Sequence, residues 1–252
     1  MKRGADWPEG YGRRVLARVD STNIEAARIA PGLAGPEWIL ALEQTAARGR
    51  RGRAWANPPG NFAATLVMRP SEAPDRVALR SFVAALALFD ALVAATGRAE
   101  GFALKWPNDV LLNGGKLAGI LLESAGAGAA LSHFAIGFGV NLVAAPDAEA
   151  VEAGAIRPVS LLSETGIAIA PEPFLDLLAA AYARHEAQFV AYGFGPIRAA
   201  WLARAARLGE TIVARTPRET HEGRFETVDE AGNLILVTAR GRQAIAAADV
   251  FF

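Results

Sequence analysis

The stretch Arg48 to Trp55, RGRRGRAW, sets four arginines and two glycines in eight residues and closes on a tryptophan. Arginine forks grip phosphate or carboxylate oxygens in pairs. Glycines at 49 and 52 let backbone N–H groups come close to an anion. The chemistry on offer is anion capture. A run of like charge is equally a solvated face or a polyanion patch, and Trp55 is either core or a flat surface for a base. The glycine–lysine–serine/threonine ending of a Walker A loop is absent, as is a Rossmann glycine fingerprint after a strand.

A second stretch, Leu104 to Ser124, reads LKWPNDVLLNGGKLAGILLES. Lys105 and Lys116 lie on strand-like segments, where lysine normally points to water at an edge. Asn108-Asp109 after Pro107 is ordinary turn chemistry. The alternative is that two ammonium groups and an Asn/Asp turn beside a strand pair await a phosphate, and with it a metal ion. Gly119 inside a strand then marks close backbone approach by a ligand. A third stretch, DSTN at 20–23, is explained as a helix cap, yet the same hydroxyls and N–H groups suit a small polar ligand head. The three histidines, 133, 185 and 221, are scattered without metal-ligand spacing or Ser/His/Asp logic and read as structural.

These residues need elements to hold them. Val15–Val19 predicts a first strand, and Thr22 with Glu25 predicts a capping box for a helix that Pro31-Gly32 stops. EWILALEQ and NFAATLVMRP are strand-like. Apolar residues at 82, 86, 89 and 93 share one face of a helix over 75–96, ended by Gly97. Strands then flank turns at Pro107-Asn108 and Asn113-Gly114-Gly115, and HFAIGFGVNL is a buried strand. Helices follow over 173–192 and 195–207. After Leu208, short alternating segments broken by Gly, Pro and Asp predict a small β-barrel. The expected organisation is a mixed α/β domain over 1–207 and an all-β domain over 208–252.

Composition bounds the classes. The 252-residue chain is 52% apolar, ample for a packed core. Lys+Arg and Asp+Glu are both 26, so the net charge is zero, unlike a general nucleic-acid coater. With no cysteine there are no disulfides, thiol catalysis or Cys-based metal sites, which fits a reducing cytosol. The N-terminus lacks the apolar stretch of a signal peptide, and the run Phe82–Phe89 is too short to span a bilayer. A cytoplasmic protein without membrane partners is expected.

In combination the motifs decide more. DSTN at 20–23, EQTAARGRRGRAW at 43–55, KWPNDVLLNGGKLAGILLE at 105–123 and GFGVNL at 137–142 occur in one chain in this order. The sequence closely resembles biotin–protein ligases over nearly its whole length. The resemblance implies an α+β fold, a central mixed sheet flanked by helices with a small SH3-like C-terminal β-barrel. It implies that biotin's carboxylate is joined to the α-phosphate of ATP with release of pyrophosphate. The lysine of a biotin carboxyl carrier protein then attacks biotinyl-5′-AMP. Arginines on a pliable loop would neutralise the approaching anions and shield the anhydride from water.

Carried over by resemblance, Ser21, Thr22 and Asn23 bind biotin's ureido ring, and Gln44 with Arg48, Gly49 and Arg50 contacts biotin and the adenylate. Lys116 holds the biotin carboxylate and the α-phosphate in an electrostatic role. Gly119 admits the biotin end. Arg50, Arg51, Arg53, Trp55, Lys105, Asn108, Asp109 and Asn141 surround the nucleotide, with Asn108 or Asp109 near Mg²⁺. Asp109 is also a candidate to orient Lys116 or the incoming lysine. The catalytic set is Lys116, Arg48 and Asp109.

The sequence departs from the family at Ala47, where glycine is usual, at Phe138, where a smaller aliphatic is common, and at its AAADVFF ending. About 20 residues precede DSTN, too few for the N-terminal helix-turn-helix of the relatives that repress operons, so no DNA binding is expected. Members often pair through a sheet edge, which allows a homodimer. Lipoate–protein ligases and octanoyltransferases share the core, but their signature loops differ from RGRRGRAW and KWPND. An intact Lys116 and arginine loop argue against a non-catalytic biotin sensor.

Overall fold

The structure, a computed structural model, describes residues 6–127, 130–147 and 156–252. Its first layer is a seven-stranded mixed sheet in the order β1-β2-β3-β7-β6-β5-β4. The strands are β1 (Gly12–Leu16), β2 (Glu37–Ala41), β3 (Phe62–Met68), β4 (Phe102–Lys105), β5 (Asp109–Leu112), β6 (Gly115–Ala127) and β7 (Ala130–Val140). Only β1 and β2 run parallel; every other neighbouring pair is antiparallel.

Strand register sorts the side chains onto two faces. Trp38, Leu40, Phe62, Ala64, Leu66, Ile136 and Phe138 point to one face and are buried under the helices α3 (Arg80–Thr96), α5 (Pro171–Tyr192) and α6 (Phe194–Leu202). The helix expected over 75–96 is two pieces, α2 (Pro74–Ala78) and α3, meeting at Leu79. Gly97 closes α3 at φ 75°, the left-handed cap expected of it. The span Pro74–Thr96 is long and apolar enough to cross a membrane, but 72% of its apolar stretch is buried, which makes it part of the domain core. The other face of the sheet carries Ile39, Val67 and Ala135, covered by α1 (Thr22–Ile29) through Ala26 and by Ala30 just after it. Because α1 is only eight residues long, it roofs one end of that face and leaves the rest for other groups.

Three local expectations are corrected. The first strand lies at Gly12–Leu16, ahead of the expected 15–19, because its parallel register starts at Gly12 opposite Glu37. The Thr22–Glu25 capping box does not form: Ser21 is the N-cap, and Gln44 Oε1 accepts from the Thr22 N–H at 2.8 Å in its place. A capping box exists instead between Ser160 and Ser163 at the start of α4 (Leu161–Thr165). The last helix ends at Leu202, short of 207, because the chain leaves it to pair with β4: Leu104 N–H donates to Arg204 O and Ala206 N–H to Leu104 O, both at 2.8 Å.

The C-terminal strands β8 (Thr211–Arg215), β9 (Thr220–Val228), β10 (Leu234–Thr238), β11 (Gly241–Ile245) and β12 (Asp249–Phe251) form an antiparallel sheet in the order β11-β10-β9-β8-β12. Its apolar residues Phe225, Val228, Leu234 and Leu236 join the main core. Trp106 Nε1 donates to Gly232 O at 3.1 Å, tying the Trp106-Pro107 turn, whose peptide is cis, to this sheet.

Candidate active site

Read across the face that α1 leaves open, the register lines up Lys105, Asp109, Gly119, Gly139, Ala63 and Ala41 in one row over six strands. The next row on the same face runs Leu121, Gly137, Thr65, Ile39. The middle of this floor has almost no side chains, so a ligand or another residue can lie directly on the backbone. Trp55 does so: a Cβ at Gly139 would come within 2.6 Å of its ring, and one at Gly119 would stand 3.5 Å away. Trp55 is half-buried, with the Lys116 ammonium 5.7 Å from its ring centroid.

One end of the floor is charged. Asp109 Oδ1 lies 2.8 Å from Lys116 Nζ, and its Oδ2 lies 3.6 Å from Lys105 Nζ. Burial alone would push the Asp109 carboxyl up, but the Lys116 and Lys105 charges outweigh it and hold it below the usual carboxylate range. Burial lowers the Lys105 ammonium from the usual lysine range, against the pull of Asp109. Lys116 is held on both sides of its backbone by the following segment, its N–H donating to Arg157 O at 2.8 Å and its O accepting from Val159 N–H at 3.0 Å.

The other end is polar and uncharged apart from one carboxylate. The Thr65 hydroxyl donates to Asn23 Oδ1 at 2.6 Å and lies 2.8 Å from Thr22 Oγ1. Asn23 Nδ2 donates to Glu123 Oε2 at 2.6 Å, and Thr22 Oγ1 donates to Gln44 Oε1 at 3.2 Å. Such a cluster holds donors and acceptors side by side.

The arginine stretch crosses between the two ends as a tight turn. Arg48 bridges to Ala54, Gly49 N–H donates to Arg53 O at 2.7 Å, and Arg51 and Gly52 take left-handed φ values of 57° and 73°. Arg48 pairs with Glu123 at 3.2 Å on the polar side. Arg50 donates to Asn108 Oδ1 at 3.4 Å on the charged side. A groove of about 480 Å³ lies between residues 48–52 of this turn and Leu121, Leu122 and Glu123 of β6.

Residues 15–141 match the family described as Biotin/lipoate A/B protein ligase family, and residues 208–252 match Biotin protein ligase C terminal domain. The chain is 62% identical over 238 residues to Biotin–[acetyl-CoA-carboxylase] ligase of Paracoccus denitrificans, covering 94% of this chain and 99% of that protein. It belongs to the biotin protein ligase family. The ligase is also 31% identical to the bifunctional ligase/repressor BirA of Bacillus spizizenii, over 84% of this chain and 65% of that one. Its fold matches a biotin protein ligase from Aquifex aeolicus in complex with biotin and ATP, with TM-score 0.81, 23% identity, and 95% and 97% of the two chains covered.

The ligase brings together most of the residues picked from sequence, with two exceptions. Asn141 is 2% exposed, and its Nδ2 donates to Val159 O at 3.0 Å, so it braces the segment behind Lys116. Ser21 is 3% exposed and makes no side-chain cap bond. Asn108 and Asp109 do not fit a magnesium site. The Asp109 oxygens face two ammonium groups, Asn108 Oδ1 faces Arg50, and the Asn108 amide donates to Ile120 O. Magnesium prefers open carboxylates and phosphate oxygens.

Sequence reasoning passed over Thr65, Glu123, Gly137 and Gly139. Two signals for them were present: glycines spaced two apart in an apolar strand share a face, and Thr65 is the lone hydroxyl in an otherwise apolar strand. Their partners come from distant strands, which no local pattern shows.

Proposed function

We propose that this ligase joins biotin's carboxylate oxygen to the α-phosphorus of ATP, with pyrophosphate leaving, and then passes biotin to a lysine of a biotin carboxyl carrier protein. In the second step the lysine amine attacks the acyl carbon, AMP departs with the bridging oxygen, and the amine's proton passes to solvent or to a base. The observation that carries this reading is the single floor described above: a polar donor–acceptor cluster at one end, an ammonium pair at the other, and a small-residue path between.

The ureido group of biotin has two N–H donors and a carbonyl acceptor, and it suits the cluster of Thr22, Asn23, Gln44, Thr65 and Glu123, with Ser21 behind it. The valeryl chain then runs from Gly137 toward Lys116 beneath the arginine turn, alongside the Trp55 ring that lies on Gly139 and Gly119. Its carboxylate arrives near Lys116, whose charge screens the repulsion between carboxylate and α-phosphate and stabilises the charge that builds during transfer. Lys105, Arg50, Arg51 and Arg53 face the remaining phosphates, and Trp55 offers a flat ring beside them. Asp109 fixes the direction of Lys116. Magnesium, where the nucleotide brings it, would be held by phosphate oxygens and not by Asn108 or Asp109, and the protein's own electrostatic work falls to its lysines and arginines. We read residues 1–207 as the part that binds biotin and ATP and 208–252 as the accompanying β-barrel, in a cytoplasmic enzyme.

The test is an intact-mass measurement. The purified protein is incubated with biotin, ATP, Mg²⁺ and an apo biotin-carrier domain. A gain of one biotin on the carrier, abolished by omitting ATP or replacing the acceptor lysine, is expected. Pyrophosphate release that needs biotin and ignores lipoate separates this reading from a lipoate-type enzyme. Neither product nor pyrophosphate from folded protein would overturn it.

A further inference from the structure

We propose that Asp249, at the start of β12 in the C-terminal sheet, is a positioning residue that holds the arginine turn in the shape that receives the nucleotide. The proposal rests on the reading of that turn as the ATP-binding loop. Three guanidinium groups converge on this one carboxylate. Arg51 Nη1 lies 2.5 Å and Arg53 Nη2 3.2 Å from Asp249 Oδ2, and Arg50 Nη1 lies 3.7 Å from Oδ1. Arg50 Nη2 also donates to the neighbouring Ala248 O at 3.3 Å. These contacts join residues 50–53 to residues 248–249, so the far end of the chain fastens the loop.

The turn needs such a partner. Three like charges within four residues repel, and without a counter-charge they splay into water. Arg51 is in addition held at φ 57°, a left-handed conformation that a non-glycine residue adopts only when its surroundings enforce it. Asp249 supplies the enforcement from a fixed point. Its backbone is paired with Arg215 of β8, and its side chain is only 20% exposed against 31% to 50% for the three arginines. Isolated surface ion pairs contribute little, but a carboxylate shared by three guanidinium groups is a network. A guanidinium carries five N–H donors in a planar fork, so contact with one carboxylate does not by itself exhaust it. Arg50 completes the geometry by reaching Asn108 Oδ1, next to the Asp109–Lys116 pair, while its other nitrogen is held at Ala248.

Asp249→Asn keeps the side-chain shape and removes the charge. Two readouts test the clamp. The first is trypsin cleavage after the arginines of residues 48–53 in protein without any substrate, which depends on the loop alone. It is expected to rise about fivefold to tenfold in D249N. The second is steady-state kinetics: the KM for ATP is expected to rise by a similar factor, with kcat and the KM for biotin little changed. Asp249→Glu, which restores the charge, is expected to recover most of both. As a measurement that needs no variant, loop cleavage of the wild-type protein should rise with added NaCl relative to cleavage elsewhere. Unchanged loop cleavage in D249N and in high salt overturns the clamp. A KM for ATP that stays level or falls overturns it too, the fall meaning that the carboxylate competes with phosphate. Should the protein show no ATP-dependent reaction at all, the nucleotide reading fails while the cleavage arm still reports on the clamp.

Discussion

Gly137 has no room for a side chain because Asn23 occupies it: a Cβ there would overlap Asn23 Oδ1 and stand 3.1 Å from its Cγ. The backbone of β7 thus fixes how far the first turn of α1 sinks toward the sheet, and with it the direction of the Asn23 amide. Gly137→Ala should push Asn23 off its Thr65 and Glu123 partners. Overpacking of this kind costs about 1–3 kcal/mol. We expect the Kd for biotin, measured by calorimetry, to rise at least about tenfold while ATP binding is little affected. Unchanged biotin affinity would remove Asn23 from the biotin site.

Lys116→Ala should leave the fold intact and lower biotin-dependent pyrophosphate release by about a hundredfold or more, the scale of deleting one electrostatic stabiliser. Lys116 is itself only partly buried, with 32% of its side chain exposed, but its loss leaves the Asp109 carboxylate with Lys105 alone, so thermal stability should fall while the fold is kept. Near-native turnover in this variant would show that the central residue is misassigned.

Arg48→Ala removes a half-exposed guanidinium paired with Glu123 and should hardly affect stability. Its expected effect is on retention. The half-life of enzyme-bound biotinyl-5′-AMP, followed by chasing labelled intermediate with unlabelled biotin, should shorten about tenfold. Equal half-lives would count against a shielding role.

Asp109 gives a pH signature. Its folded-state pKa lies below the unfolded value, so its charge contributes stability above the unfolded pKa, and that contribution disappears as pH falls through the depressed folded value. Asp109→Asn should therefore be less stable than the wild type at pH 7, by about 3–5 kcal/mol as for a broken buried pair. The gap should close as the pH drops below about 4. Urea unfolding at both ends of that range measures it. A gap that stays constant with pH would mean that the ion pair with Lys116 and Lys105 is not what Asp109 supplies.

The local motifs were legible because their information lies within a few residues. RGRRGRAW reads as a loop open to an anion or to solvent, and its backbone forms a tight turn. Lys105, Asp109 and Lys116 were placed around a strand pair, and β5 does set Asp109 between the two lysines. The capping box at Thr22 misled for an instructive reason. Thr22 has the right residue type and spacing, but its hydroxyl faces Gln44 and Thr65 instead, and the helix takes Ser21 as its cap. A local rule gave way to partners that lie 22 and 43 residues away.

The sequence alone determined the charges, the glycines and the alternation of apolar residues, and so which strands exist and that the chain resembles biotin–protein ligases. Only the tertiary structure decided which of those residues share a row. Asp109, Gly119 and Gly139 meet because antiparallel register brings three strands into step, and Asp249 meets Arg51 because the C-terminal sheet joins the main core beside α6 and the Trp106-Pro107 turn. Register is a property of paired strands, since a slip of one residue turns every side chain to the opposite face, and no single strand carries that information by itself.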